Sequence, residues 1–125
     1  MTEACRFCLA NNLLFDSPVA ATEHFYMLRH ADTRFAHGVM VIPKRHSETP
    51  FELSPEEWQD FANAIALARD LLAPSSPEGF TMGWNVGAVA GQTVFHTHLH
   101  MIARYSGDPH EGNGIRRIFK IEGQE

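Results

Sequence analysis

Three histidines occupy alternate positions in Val94-Phe95-His96-Thr97-His98-Leu99-His100-Met101-Ile102. Side chains alternate across an extended strand, so this spacing predicts His96, His98 and His100 on one face and Phe95, Thr97, Leu99 and Met101 on the core side. Strict register directly after a Gly-Gln-Thr loop argues against a surface strand that carries imidazoles by chance. Neutral imidazole is a metal ligand and a nucleophile, and protonated imidazole steadies anionic oxygens or gives up a proton. As a metal site the run is limited. His96 and His100 stand about 13 Å apart along an extended strand, too far to share one zinc with bonds of about 2 Å. Two adjacent rings can ligate one ion, and at least one ring is then left for catalysis. Nucleophilic attack at phosphorus is the chemistry that uses neighbouring rings. The preceding Gly87-Ala88-Val89-Ala90-Gly91-Gln92-Thr93 suits it, offering a phosphate backbone N–H groups, an amide and a hydroxyl.

Other elements must hold that strand in place. Leu13-Leu14-Phe15, Phe25-Tyr26-Met27-Leu28 and Val39-Met40-Val41-Ile42 read as short antiparallel strands, separated by Pro18, Asp32 and Gly38 and closed by Pro43. Ser54-Pro55-Glu56-Glu57 carries a capping Ser, Pro at the first helical position and a Glu placed to reach back to the cap, so a helix begins there. It ends at Ala73-Pro74, and Trp58, Phe61, Ala62, Ile65, Ala68 and Leu72 give it one apolar stripe to lay on a sheet. After the turn at residues 74–79, Phe80, Met82, Trp84 and Val86 alternate with Thr81, Gly83 and Asn85, as in a half-buried strand. Paired with the histidine strand as a hairpin, it puts Thr81, Gly83 and Asn85 on the histidine face, where small residues leave room for a ligand.

Composition sets the frame. A chain of 125 residues, 44% hydrophobic and 20% charged, suits a single domain spanning residues 1–125. The formal charge of −5 argues against a nucleic-acid partner, and Lys44-Arg45 and Arg116-Arg117 are too short to form a basic patch. Met1 to Leu9 has no signal-like apolar run and no stretch has bilayer length, so a cytoplasmic location without membrane contact is expected. Two cysteines do not make a disulfide framework. The pair Cys5-Arg6-Phe7-Cys8 supplies two thiolates, and a closed zinc site needs two more ligands; free thiols or a redox dithiol are the alternatives.

From Asn85 through the triad to His100, the sequence resembles the signature of the histidine-triad family of nucleotide hydrolases and transferases. Val41-Ile42-Pro43-Lys44-Arg45-His46, the Cys5–Cys8 pair and Arg104-Tyr105-Ser106-Gly107-Asp108 also fall in family order. The resemblance implies an α+β fold with an antiparallel sheet of about five strands and one main helix, working as a homodimer. It implies hydrolysis of a nucleotide at its α-phosphorus, with a purine nucleoside monophosphate moiety favoured. His98 would be the nucleophile, His100 the contact to phosphate and leaving group, and His96 the residue that orients them or binds zinc. Gly91, Gln92, Thr93 and Asn85 would bind the substrate. A structural zinc would sit on Cys5, Cys8, His46 and His96, tying an N-terminal segment of residues 1–12 to the sheet.

The sequence departs from the family pattern where a ribose is held. Relatives carry Asp or Asn about a dozen residues before the Val-Ile-Pro run; here His30 stands there, with Asp32 close behind, and the common Gly-His pair is reversed as His37-Gly38. His30 therefore joins the substrate-binding candidates. His24, His37 and His110 are single and scattered, and are expected in surface or hydrogen-bonded roles. Arg104 shares the parity of the triad and would meet a distal phosphate or stand as an exposed cation. Residues 105–125 form a tail, of which the part after Gly112 would cover the pocket or meet a partner. Beside the metal-independent nucleotidyl hydrolase, a metal-dependent hydrolase and a nucleotide-binding regulatory module with little catalysis use the same residues.

Overall fold

The computed structural model of the protein describes residues 4–30 and 37–119. Its strands are β1 (Ala20–Ala21), β2 (Phe25–Arg29), β3 (Gly38–Pro43), β4 (Gly79–Gly83) and β5 (Leu99–Arg104), and its helix is α1 (Pro55–Leu72). They form one five-stranded sheet in the order β1-β2-β3-β5-β4, with every neighbouring pair antiparallel. The α+β expectation holds.

The helix starts where the cap chemistry placed it. Ser54 Oγ accepts from the Glu57 N–H at 3.1 Å while Glu57 Oε1 accepts from the Ser54 N–H at 2.8 Å, so both halves of the capping box are present. The buried stripe is rotated from the expected one. Ala64, Ala68 and Leu72 are its centre, flanked by Phe61 and Ile65, whereas Ala62 is exposed and Trp58 sits at the margin, edge-on to Phe61 and Trp84. This face covers Phe25, Met27, Val39, Val41, Leu99, Met101 and Ala103, alternate residues of three adjacent strands.

The opposite sheet face carries the other parity. Tyr26, Leu28, Met40 and Ile42 close there over Phe7 from the N-terminal segment. His98 and His100 share this face, whereas Trp84 packs with the helix side as the hairpin reading required. The β4–β5 hairpin pairs Gly79 with Arg104 and Gly83 with His100.

Several expectations are corrected. Leu13-Leu14-Phe15 is not a strand: Asn12, at φ 57°, turns the chain left-handed just before it, and Phe15 is 89% exposed. A two-residue strand, Ala20–Ala21, takes the sheet edge instead. The strand from Phe80 stops at Gly83, and the histidine strand begins only at Leu99. Residues 94–96 are bent, so alternation does not reach Phe95, which is 45% exposed rather than in the core. Asp32 lies outside the described residues.

Candidate functional site

β5 and the bent segment ahead of it hold the triad. His96 is fully buried, and His98 keeps 9% of its surface open. The rings of His98 and His100 lie 5.0 Å apart, and Phe7 packs edge-on against His98 at 5.1 Å and His96 at 6.2 Å. Carbonyl oxygens only accept, which fixes two tautomers. His98 donates Nδ1–H to the His96 carbonyl at 2.8 Å, leaving Nε2 with a bare lone pair. His96 donates Nε2–H to the Pro43 carbonyl at 2.7 Å, leaving Nδ1 bare. Burial, with the Arg6 charge adding to it, holds His98 below the usual imidazole range, so the ring is neutral and its lone pair available. Burial likewise brings His100 down to about 4, with His98 and His30 reinforcing it.

The loop before the triad is tied by its own amide. Gln92 is buried; its Oε1 accepts from the Gly87 N–H at 2.8 Å and its Nε2 donates to the carbonyls of Glu48 and Val94 at 2.7 and 3.1 Å. The amide oxygen thus holds the loop, and the amide nitrogen ties it to Val94 and to Glu48 beyond β3. Gly87 and Gly91 take φ of 90° and 99°, conformations that favour glycine, and Asn85 lies against Gly91, 3.7 Å from where a Cβ would stand. Asn85 and Gly91 are therefore together, while Thr93 is exposed beside them in sequence. A cleft of about 590 Å³ opens between Arg6, His46, Thr93 and Phe95.

Next to the triad, four soft and borderline donors converge. One ligand atom from each of Cys5, Cys8, His46 and His96 lies within 4.8 Å of the others. His46 follows β3 and His96 precedes β5, so two neighbouring strand ends supply the imidazoles and the N-terminal segment brings the thiols. His46 Nδ1 and His96 Nδ1 are 3.2 Å apart, Cys8 Sγ is 3.2 Å from His46 Nδ1 and 3.6 Å from His96 Nδ1, and Cys5 Sγ is 3.4 Å from His96 Nδ1. A tetrahedral zinc with ordinary Zn–N and Zn–S bonds has ligand-to-ligand edges of about 3.3–3.8 Å, so the donor set fits. Burial and the adjoining Cys5 push the Cys8 thiol up to about 11, a crowding of like groups that a dication relieves. Bound there, zinc would be a structural cross-link between the N-terminal segment and the sheet.

Two features escaped the sequence reading. Ser47 Oγ and Thr97 Oγ1 share a hydrogen bond of 2.7 Å, and the Thr97 N–H donates to the Ser47 carbonyl at 2.7 Å, fastening the triad segment to the loop that carries His46. Phe7 lies between the cysteines and against two triad rings; only its place inside the Cys-x-x-Cys spacing could have pointed to it. Arg104 is not an exposed cation: it is partly buried and its guanidinium is engaged within the protein. It donates to Asp108, to Thr81 Oγ1 and to the carbonyls of His110 and Asn113, pinning the start of the tail beside β4. The shelf at Thr81 and Gly83 is correspondingly occupied, with the Ile115 side chain 3.6 Å from where a Gly83 Cβ would be. His30 does reach the triad, at His100.

Known proteins resemble this chain in sequence and fold. The HIT domain family model matches residues 16–107. A HIT-like protein of Methanocaldococcus jannaschii is 31% identical over 105 residues, covering 83% of this chain and 81% of that protein. An adenylylsulfatase of Arabidopsis thaliana is 33% identical over 75 residues, 58% of this chain and 38% of that protein. Among solved structures, a HIT family protein from Bacillus anthracis superposes with a TM-score of 0.74 at 34% identity, covering 85% of this chain and 77% of that one. The family model spans residues 16–107 and the Methanocaldococcus relative covers most of the chain, so the chain belongs to the histidine-triad (HIT) family.

Proposed function

We propose that this protein hydrolyses a nucleotide at its α-phosphorus through a nucleotidyl intermediate on His98. The observation that carries the reading is the tautomer of His98: its Nδ1–H is spent on the His96 carbonyl, so a neutral Nε2 lone pair is what the ring can offer an electrophile. Nε2 bonds to phosphorus as the leaving group departs, and His100, one strand position pair away, serves the leaving atom. Water then attacks phosphorus, the N–P bond breaks, and a nucleoside monophosphate is released.

Substrates of this class are nucleoside phosphoramidates, dinucleoside polyphosphates and related nucleotidyl esters, with a purine base favoured. The Arabidopsis relative, named for an adenylyl substrate, supports that class. Asn85, Gly91 and Thr93 form the phosphate side, and Gln92 shapes the loop that presents it. Zinc on Cys5, Cys8, His46 and His96 holds the segment in register and takes no part in the chemistry. Among the described residues no helix is long and apolar enough to cross a membrane. We also place the protein in the cytoplasm as a homodimer; the outer edge of β4, with Phe80 37% exposed, supports pairing between copies.

The test is a panel of adenosine and guanosine phosphoramidates and dinucleoside polyphosphates, with and without chelator. Wild-type protein should release the monophosphate, and quenched samples should carry a nucleoside monophosphate on His98 by mass spectrometry. H98Q should lose turnover by about a thousandfold or more while keeping its fold. Tight AMP binding with no turnover of any substrate would instead make the protein a binding module.

A further inference from the structure

His30, directly after β2, reaches across the sheet to the third triad histidine. Its N–H donates to the Gly38 carbonyl at 2.9 Å, and Gly38 pairs with Ile102 of β5. The approach is tight at Gly38: a Cβ there would stand 3.0 Å from His30 Cβ and 3.0 Å from Ile102 Cδ1, so these neighbours would have to give by a few tenths of an ångström. His30 Nε2 then lies 2.8 Å from His100 Nδ1, the ring centroids 4.9 Å apart and the planes inclined by 56°.

Two imidazole nitrogens at that separation share a proton, one donating and the other accepting. His100 Nδ1 is thereby committed, and Nε2 is the nitrogen left to meet a substrate. The titratable groups facing His100 are His98 before it in the chain and His30 from β2. With no anion present, burial keeps His100 neutral; an incoming phosphate favours an added proton on the pair.

We propose that His30 is a positioning residue that makes, with His100, a two-ring proton relay between the leaving group and the attacking water. The relay rests on the nucleotidyl transfer to His98 argued above. In the loaded site the pair holds one excess proton, with His30 Nε2–H donating to His100 Nδ1 and His100 Nε2–H facing the leaving atom. As His98 Nε2 bonds to phosphorus and the bond to the leaving group breaks, the leaving atom takes the proton from His100 Nε2. His100 Nδ1 takes the proton from His30 Nε2. Both rings are then neutral and His100 Nε2 is bare. In the second step it accepts a proton from the water that attacks phosphorus, while the Nδ1 proton returns to His30. The water's OH stays on phosphorus, the N–P bond breaks, and the pair recovers its charge.

The experiment compares wild type, H30A and H30N in single turnover on two adenosine substrates. One is a 5′-alkylphosphoramidate, whose amine must be protonated to leave; the other is a 5′-p-nitrophenyl phosphate, whose phenolate leaves unaided. Both variants should release the amine about 100-fold more slowly yet release p-nitrophenolate within about threefold of wild type. Equal losses on both substrates, a change in KM alone, or full rescue of amine release by H30N would overturn the relay. An independent reading comes from 15N histidine spectra with AMP bound, where wild type should show one proton shared by His30 and His100 that H30A lacks. If wild type turns over neither substrate, the hydrolase reading fails; absence of the shared proton then also overturns the relay, and its presence upholds the pairing.

Discussion

His98 donates its Nδ1–H to the backbone carbonyl of His96 across 2.8 Å, so one triad residue sets the tautomer of the next through the main chain. His96 is set the same way by the Pro43 carbonyl. The consequence is an opposed pair: Nε2 is bare in His98 and Nδ1 is bare in His96. Long-range 15N spectra at neutral pH should show each ring as a single neutral tautomer with these assignments. A mixture of tautomers at His98 would remove the basis for Nε2 as the attacking atom.

Zinc loss should act on the fold before it acts on the chemistry. The four donors fit a closed tetrahedral site, and among them only His96 belongs to the triad. Elemental analysis should find one zinc per chain in wild type and no stoichiometric zinc in a C5S/C8S variant. Chelation should lower the thermal midpoint by about 10 °C or more. Turnover should survive chelation at temperatures where the fold persists; prompt loss of activity in a folded chain would point to a metal-dependent hydrolase.

Legibility in the sequence tracked how local the determining physics was. The capping box spans Ser54 to Glu57, so its start signal could be read directly, and the core parity of Met27, Val39 and Val41 follows from strand alternation alone. Leu13-Leu14-Phe15 failed because a strand needs a partner, and the left-handed turn at Asn12 carries the chain away from one. Phe95 failed because period-two reasoning was extended through a bend. The zinc ligands were reached through resemblance, since nothing in the spacing of Cys8, His46 and His96 tells that β3 and β5 are neighbours. Arg104 and Gln92 were legible as polar residues near the site, but their partners, backbone carbonyls and Asp108, depend on a tail and loop path that only tertiary structure supplies.

Glu57 couples the helix to the loop that carries His46. Its carboxylate accepts the Ser54 N–H and two bonds from Arg45, at 2.7 and 3.1 Å, and is nearly fully buried. Arg45 remains half exposed, which limits the worth of the ion pair. Glu57→Gln, which retains a capping side chain, should cost about 1 kcal/mol, and Glu57→Ala about 2 kcal/mol, by urea denaturation. Because Arg45 adjoins His46, Glu57→Ala should also release zinc to a chelator faster than wild type. An unchanged midpoint in Glu57→Ala would show that the Arg45 contact contributes nothing measurable.

Acid should unfold the protein in two windows. His100 is held at about 4 against an ordinary 6.5, chiefly by burial and then by His98 and His30. Between those values the unfolded chain binds a proton that the folded chain refuses, so this contribution is complete above 6.5 and is lost as pH falls toward about 4. Asp60 is also held below its ordinary value, which for a carboxylate favours the charged form. Although burial opposes it, bonds from Thr22 Oγ1, the His24 N–H and Asn63 hold it below 3.8, so its contribution is complete above 3.8 and fades further into acid. Thermal midpoints should therefore fall between pH 6.5 and 4 in wild type, and fall less steeply there in a His100→Asn variant, which lacks the titrating ring. Below pH 3.8 the two proteins should lose stability in parallel, whereas Asp60→Asn should be flatter only in that lower window. Identical slopes for wild type and His100→Asn above pH 4 would mean that His100 takes its proton without cost to the fold.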